Sequence, residues 1–162
     1  MSRRTRDLFS VSLAVSLLAA LCIASELGLR VNDTPSIPLG LYRTSEEPVL
    51  RGRHVLFCPA AREVFQTALE RGYLAPGQCG GASYLMKRVW AVPGDSIAVR
   101  DDGVFVNGER VPNSVPRAVD SGGRPLPRYR VDHCVLQSQQ YLLLSESHPR
   151  SFDGRYFGPV QR

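Results

Sequence analysis

From Leu8 to Ser25 the chain holds eighteen consecutive uncharged positions, nearly all apolar or small (LFSVSLAVSLLAALCIAS). At helical rise that run spans roughly 27 Å, close to the hydrocarbon thickness of a bilayer. The pattern predicts a membrane anchor over 8–25. Arg3, Arg4 and Arg6 precede it and Glu26 follows, so the positive-inside bias puts residues 1–7 in the cytoplasm and the chain beyond about residue 30 on the far side. A short apolar run behind a basic start also fits a cleaved leader. The length of the run and the lack of a clear A-x-A site favour a retained helix.

After the anchor the period changes to that of strands. Gly40 to Arg43, His54 to Phe57, Tyr84 to Val92, Ser96 to Arg100, Val104 to Val106, Tyr141 to Leu144 and Tyr156 to Val160 are β-rich runs bounded by Gly, Pro, Asp and Asn. Asn107-Gly108 between apolar residues predicts a type I′ hairpin. One helix is expected from Ala61 to Glu70, with Val64, Phe65, Ala68 and Leu69 on one stripe and Gly72 just past its end. Asn113 to Arg130 is rich in Pro, Gly and Arg, has no period, and reads as a surface loop. The expected architecture is mostly β: a single N-terminal transmembrane helix, then an antiparallel β domain over 30–162 with a small helical cap.

At 162 residues and 17.9 kDa there is room for one such domain and no second large one. Hydrophobic residues at 43% and charged residues at 22% exclude a disordered tail, a collagen and a polytopic membrane protein. The net charge is +5, but the arginines are scattered without aromatic interleaving, so no nucleic-acid partner is expected. Neither a cofactor nor a metal is expected. Cys22 lies in the apolar run, leaving Cys58, Cys79 and Cys134 on the exported, oxidising side. A Cys58–Cys79 disulfide would close a loop of about twenty residues, worth roughly 3 kcal/mol, and would staple the cap over 58–79 while Cys134 stays free. A zinc site from Cys58, Cys79 and His54 is the alternative, though no CxxC or HxxxH spacing supports it.

Charge changes the picture at one position. Of the 20 basic residues only Lys87 is a lysine. In YLMKRVWAV, period-two alternation sets it on the face of Leu85, Val89 and Ala91. An ammonium group among apolar side chains loses hydration, which depresses its pKa and makes a neutral, proton-accepting amine accessible. Arginine has no such option. The competing reading is a chance lysine whose stem snorkels. A partner is available in Thr34-Pro35-Ser36-Ile37-Pro38-Leu39-Gly40, where flanking prolines restrict the backbone around Ser36 about ten residues after the anchor. Alone, that segment also reads as an extended linker.

Three ordered segments carry a resemblance: Ser36-Ile37-Pro38-Leu39-Gly40-Leu41-Tyr42, then Lys87-Arg88-Val89 with Pro93-Gly94-Asp95, then Ser151-Phe152-Asp153-Gly154-Arg155-Tyr156-Phe157-Gly158-Pro159. Together they resemble the successive boxes of the type I signal peptidase superfamily of Ser/Lys proteases, and are similar to its conjugative-transfer branch of TraF type. The resemblance implies that Ser36 is the nucleophile and Lys87 the general base. It implies that Ser151 orients the amine, that Asp153 and Arg155 form an ion pair holding the last box, and that the Thr34 hydroxyl joins the Ser36 N–H in an oxyanion hole. The chain departs from the housekeeping enzymes in Ile-Pro after Ser36, in Gly154 where a serine is usual, and in lacking their accessory β domain.

What the resemblance implies for activity is a serine endopeptidase in the bacterial inner membrane with its catalytic domain in the periplasm. It would act within conjugation machinery on a membrane-associated pilin precursor, cleaving it through an acyl-enzyme and closing it into a ring. Asp153, if not fully engaged by Arg155, would handle the incoming amine. The alternatives are a hydrolytic signal peptidase, a non-enzymatic periplasmic subunit of a secretion machine, and a triad of His148, Ser151 and Asp153, which lie too close in one segment to converge easily.

Overall fold

A computed structural model describes residues 3–162. The chain divides into two compact units. The first, residues 3–33 with 39–47, contains the predicted apolar helix as α1 (Arg3–Glu26), followed by an antiparallel ribbon of β1 (Leu29–Asn32) and β2 (Gly40–Arg43). Within α1, residues Arg4–Glu26 are long and apolar enough to cross a membrane.

The second unit, residues 34–38 with 48–162, is the β domain. Its elements are β3 (His54–Phe57), α2 (Glu63–Glu70), β4 (Pro76–Gly77), β5 (Gly81–Ala82), β6 (Leu85–Ala91), β7 (Ser96–Arg100), β8 (Gly103–Val106), β9 (Glu109–Arg110), β10 (Val131–Val135), β11 (Gln140–Leu144), α3 (Gly154–Phe157) and β12 (Val160–Gln161). They build two four-stranded sheets, ordered β12-β11-β6-β3 and β10-β7-β8-β9, and a β4-β5 ribbon. All recorded pairings are antiparallel. The predicted hairpin turn is present: Val106 pairs with Glu109 across Asn107 (φ 52°) and Gly108 (φ 84°), both in the left-handed region a type I′ turn needs.

Two apolar clusters hold the unit. Val99, Val104 and Val106 meet Leu136, Leu142 and Leu144 in one. In the other, Phe65 and Ala68 of α2 pack against Phe152, Tyr156 and Phe157, and each fully buried ring contributes on the order of 2–3 kcal/mol. The stripe read from the sequence is the face of α2 that is buried. The helix begins at Glu63 rather than Ala61 because Arg62 is extended (ψ 145°) and offers no side-chain cap. It ends where Gly72 N–H bonds the Leu69 carbonyl and Tyr73 N–H that of Ala68, with Gly72 at φ 72°, a Schellman closure. A Cys58–Cys79 disulfide brackets the helix, and Cys134 is unpaired. Both thiols of the zinc alternative are thereby consumed.

One expected strand is not formed. Over 156–160 the β-prone Tyr156 and Phe157 lie in the single turn α3, and only Val160 reaches the sheet. Asp153 caps the turn by accepting the Arg155 N–H, Gly158 (φ 71°) ends it, and Tyr156 stacks on Phe152 at 5.6 Å. Local capping and ring packing override strand propensity there.

Candidate active site

β6 lies between β3 and β11, so its backbone is paired along both edges and its register is fixed. The alternation along Leu85–Ala91 buries Lys87, Val89 and Ala91, and Lys87 is only 2% exposed. Its Nζ donates to Ser151 Oγ at 3.0 Å. Ser36 sits half-buried in the turn after Thr34, next to the buried Ile37, and its Oγ lies 3.1 Å from the same Ser151 Oγ. Ser151 therefore bridges Ser36 and Lys87, which are 51 positions apart in sequence.

Burial brings the Lys87 pKa from 10.5 down to about 8. The negative charge of Asp153 works against that shift and the positive charge of Arg155 with it. At pH 7 an amine of pKa about 8 is neutral in roughly one molecule in ten, against roughly one in three thousand for an ordinary lysine. Burial on this strand raises the supply of free base by more than two orders of magnitude.

Asp153 is fully buried, and both its oxygens are occupied. Oδ1 accepts from Arg155 N–H at 3.1 Å and Nε at 2.8 Å, while Oδ2 accepts from Arg155 Nη2 and from the Ser145 N–H, each at 2.9 Å. The condition under which Asp153 would handle an incoming amine, incomplete engagement, is not met. What the pair does is hold the segment. Arg155 Nη2 donates to the Ser151 carbonyl at 2.9 Å, and Nη1 reaches the carbonyls of Asn113 and Pro149. Burial opposes the Arg155 charge, but Asp153 outweighs it and holds the pKa above its ordinary value.

Thr34 is exposed in the turn that carries Ser36. Sequence reasoning misses Ser147, whose hydroxyl donates to the carbonyls of Pro35 and Ser36 at 3.2 Å each and so ties that turn to the 145–151 segment. No period or motif singles it out. His148, Ser151 and Asp153 form no triad: Ser151 Oγ is bonded to Lys87 and Ser36, and Asp153 to Arg155 and Ser145. Among the described residues no cluster of three His, Cys, Asp or Glu is placed to hold a metal.

The sequence description of the signal peptidase family, peptidase S26, matches residues 4–162. This chain belongs to that family. Among its relatives, a "Plasmid transfer protein TraF" of Escherichia coli is 52% identical over 149 residues, covering 90% of this chain and 84% of its own. A "Conjugal transfer protein TraF" of Agrobacterium tumefaciens (strain 15955) is 39% identical, covering 99% of this chain and 90% of its own. A solved signal peptidase I from Enterococcus faecalis V583 is 23% identical and covers 51% of this chain and 79% of that one, with a TM-score of 0.30.

Proposed function

We propose that this S26 peptidase is a serine endopeptidase of the bacterial inner membrane, anchored by 8–25, with the domain over 30–162 and its 58–79 cap in the periplasm. It cleaves a membrane-associated pilin precursor during conjugative transfer and cyclises it. The observation that carries the reading is the Ser36–Ser151–Lys87 chain of hydroxyls ending on the chain's one lysine, buried and shifted toward its neutral form. The transfer-protein names of the TraF relatives support the setting.

The chemistry follows from these groups. Neutral Lys87 takes the Ser36 proton, with Ser151 holding both groups in place, and Ser36 Oγ attacks the scissile carbonyl. The oxyanion is met by the Ser36 N–H and the Thr34 hydroxyl, a contribution of about 3 kcal/mol per donor. The lysine proton passes to the leaving amine, the peptide bond breaks, and an ester on Ser36 remains. The substrate's own N-terminal amine then attacks that ester, forming a new amide and freeing Ser36. Water at about 55 M competes, but a tethered amine reaches effective molarities of roughly 10⁵ M or more. Asp153 and Arg155 act as positioning residues that fix the Ser151 carbonyl.

Incubating the full-length protein in detergent with its cognate pilin-like precursor tests the reading. Intact-mass spectrometry should find a product lighter by one water than the linear cleavage fragment. Linear product alone would replace cyclisation with ordinary signal-peptide hydrolysis, and no cleavage would remove the enzymatic reading.

A further inference from the structure

Among the described residues the hydroxyl of Ser145 is the one buried side-chain oxygen or nitrogen with no hydrogen-bond partner. It is 1% exposed, so no bulk water compensates for the missing bond, and such a group costs on the order of the desolvation of a hydroxyl. Buried polar groups left this way call for an explanation. Serine is not required there by backbone geometry, since Ser145 has no left-handed φ.

Its position supplies one. β11 pairs antiparallel with β6 so that Leu143 lies opposite Val89 and Leu144 opposite Arg88. Continued by one residue, that register sets Ser145 opposite Lys87. Residues directly opposite in an antiparallel pair share a face, so Ser145 and Lys87 project to the same side. The Ser145 N–H is fixed on Asp153 Oδ2, which leaves the side chain only the rotation about its own Cα–Cβ bond to choose a partner.

A neutral primary amine has two N–H donors and one lone pair. For Lys87 to take the Ser36 proton, both donors must be turned away from Ser36 and the lone pair toward it. Ser151 Oγ accepts one donor, and one anchor still leaves the amine free to rotate about that bond. We infer that Ser145 Oγ is the acceptor for the second N–H, making it a positioning residue that aims the Lys87 lone pair. Ser151 and Ser145 then form a pair of hydroxyl anchors flanking the amine, one from the last box and one from the end of β11.

This inference rests on the Ser/Lys reading, but its test need not. The groups that set the Lys87 charge are Asp153 and Arg155, with Ser151 bonded to it and Ser36 bonded in turn to Ser151. From β3, Val55 lies opposite Lys87, and His54 is one step away at the level of Arg88. None of these changes in Ser145→Ala. Because Lys87 is the only lysine, full-length protein grown with lysine labelled at Cε gives one lysine signal by NMR in detergent, and its titration reads the Lys87 pKa with no substrate present. An acceptor on the amine also stabilises the ammonium form. Ser145→Ala, and Ser145→Gly as a second variant, should therefore move the Lys87 titration downward by about one unit. The base limb of the pH–rate profile should move with it, and plateau kcat should fall about tenfold or more at unchanged KM. An unmoved titration and pH profile, with the variant melting at or above wild type, is the behaviour of an orphan hydroxyl and overturns the inference. If the titration moves while wild type cleaves nothing, the anchor stands and the peptidase reading fails.

Discussion

Replacing Lys87 by methionine keeps the volume of the side chain and removes the chain's one lysine ammonium. The folded-state pKa of Lys87 is about 8, against 10.5 when unburied, and a difference of that size corresponds to about 3 kcal/mol. Below pH 8 both folded and unfolded lysine carry the proton, and folding bears the full cost of burying it. Between pH 8 and 10.5 the unfolded chain holds the proton that the folded one has released, so wild-type stability rises through this window relative to the variant. At pH 7 Lys87→Met escapes the burial cost but loses the Nζ–Ser151 bond, worth about 1–2 kcal/mol. The inactive variant should then be more stable than wild type by about 1–2 kcal/mol. That advantage should shrink by about 3 kcal/mol as pH is raised to 10.5. Urea unfolding of the full chain in detergent, followed by the fluorescence of its single tryptophan, Trp90, measures both quantities. Groups common to both proteins, Tyr129 among them, cancel in the difference. Parallel stability curves from pH 7 to 10.5 would refute the claim that burial neutralises Lys87.

Opening the Cys58–Cys79 bridge by changing both residues to serine should cost roughly 3 kcal/mol, read as a lower denaturation midpoint, and should loosen the cap before it touches Ser36, so activity at low temperature persists. Arg155→Met leaves Asp153 buried without its cation and should destabilise by about 3–5 kcal/mol, measured by the same unfolding assay. Gly154→Ser, which installs the residue usual in housekeeping signal peptidases, should cost about 1–3 kcal/mol, because an added Cβ would sit 2.8 Å from both Leu142 Cδ1 and the Leu143 carbonyl. An unchanged midpoint would mean that α3 shifts freely over β11.

The site-bearing sheet was legible where period two is strict. From Lys87 to Ala91 every second residue is buried, so a lysine in phase with Val89 and Ala91 can be placed on an apolar face from sequence alone. The same rule failed at 156–160, because the conformation there is decided by an Asp153 cap and a Phe152–Tyr156 stack that no local propensity encodes. β10 was missed for a related reason: its residues are mostly exposed and its register breaks between Val131 and Cys134, which erases the alternation. Lys87 and Ser36 stand out by residue type and context, Ser151, Asp153 and Arg155 only through the family resemblance, and the five lie in one bonded cluster in the second unit. The saturation of Asp153 could not be read, since it depends on the Ser145 backbone arriving from β11. Ser145 and Ser147 are invisible for the same reason, as their roles exist only through strand register and a turn 111 positions away.

In the proposed reaction Ser36 is acylated with Lys87 as its base. Acid-quenched single-turnover mixtures of wild-type protein and pilin-like precursor, analysed by peptide mass mapping, should carry the substrate's acyl segment on Ser36. Ser36→Ala and Lys87→Arg should carry none at any pH between 6 and 10, because guanidinium cannot take the proton. An adduct on any other residue, or one formed on Ser36 at the wild-type rate in Lys87→Arg, would contradict the assignment.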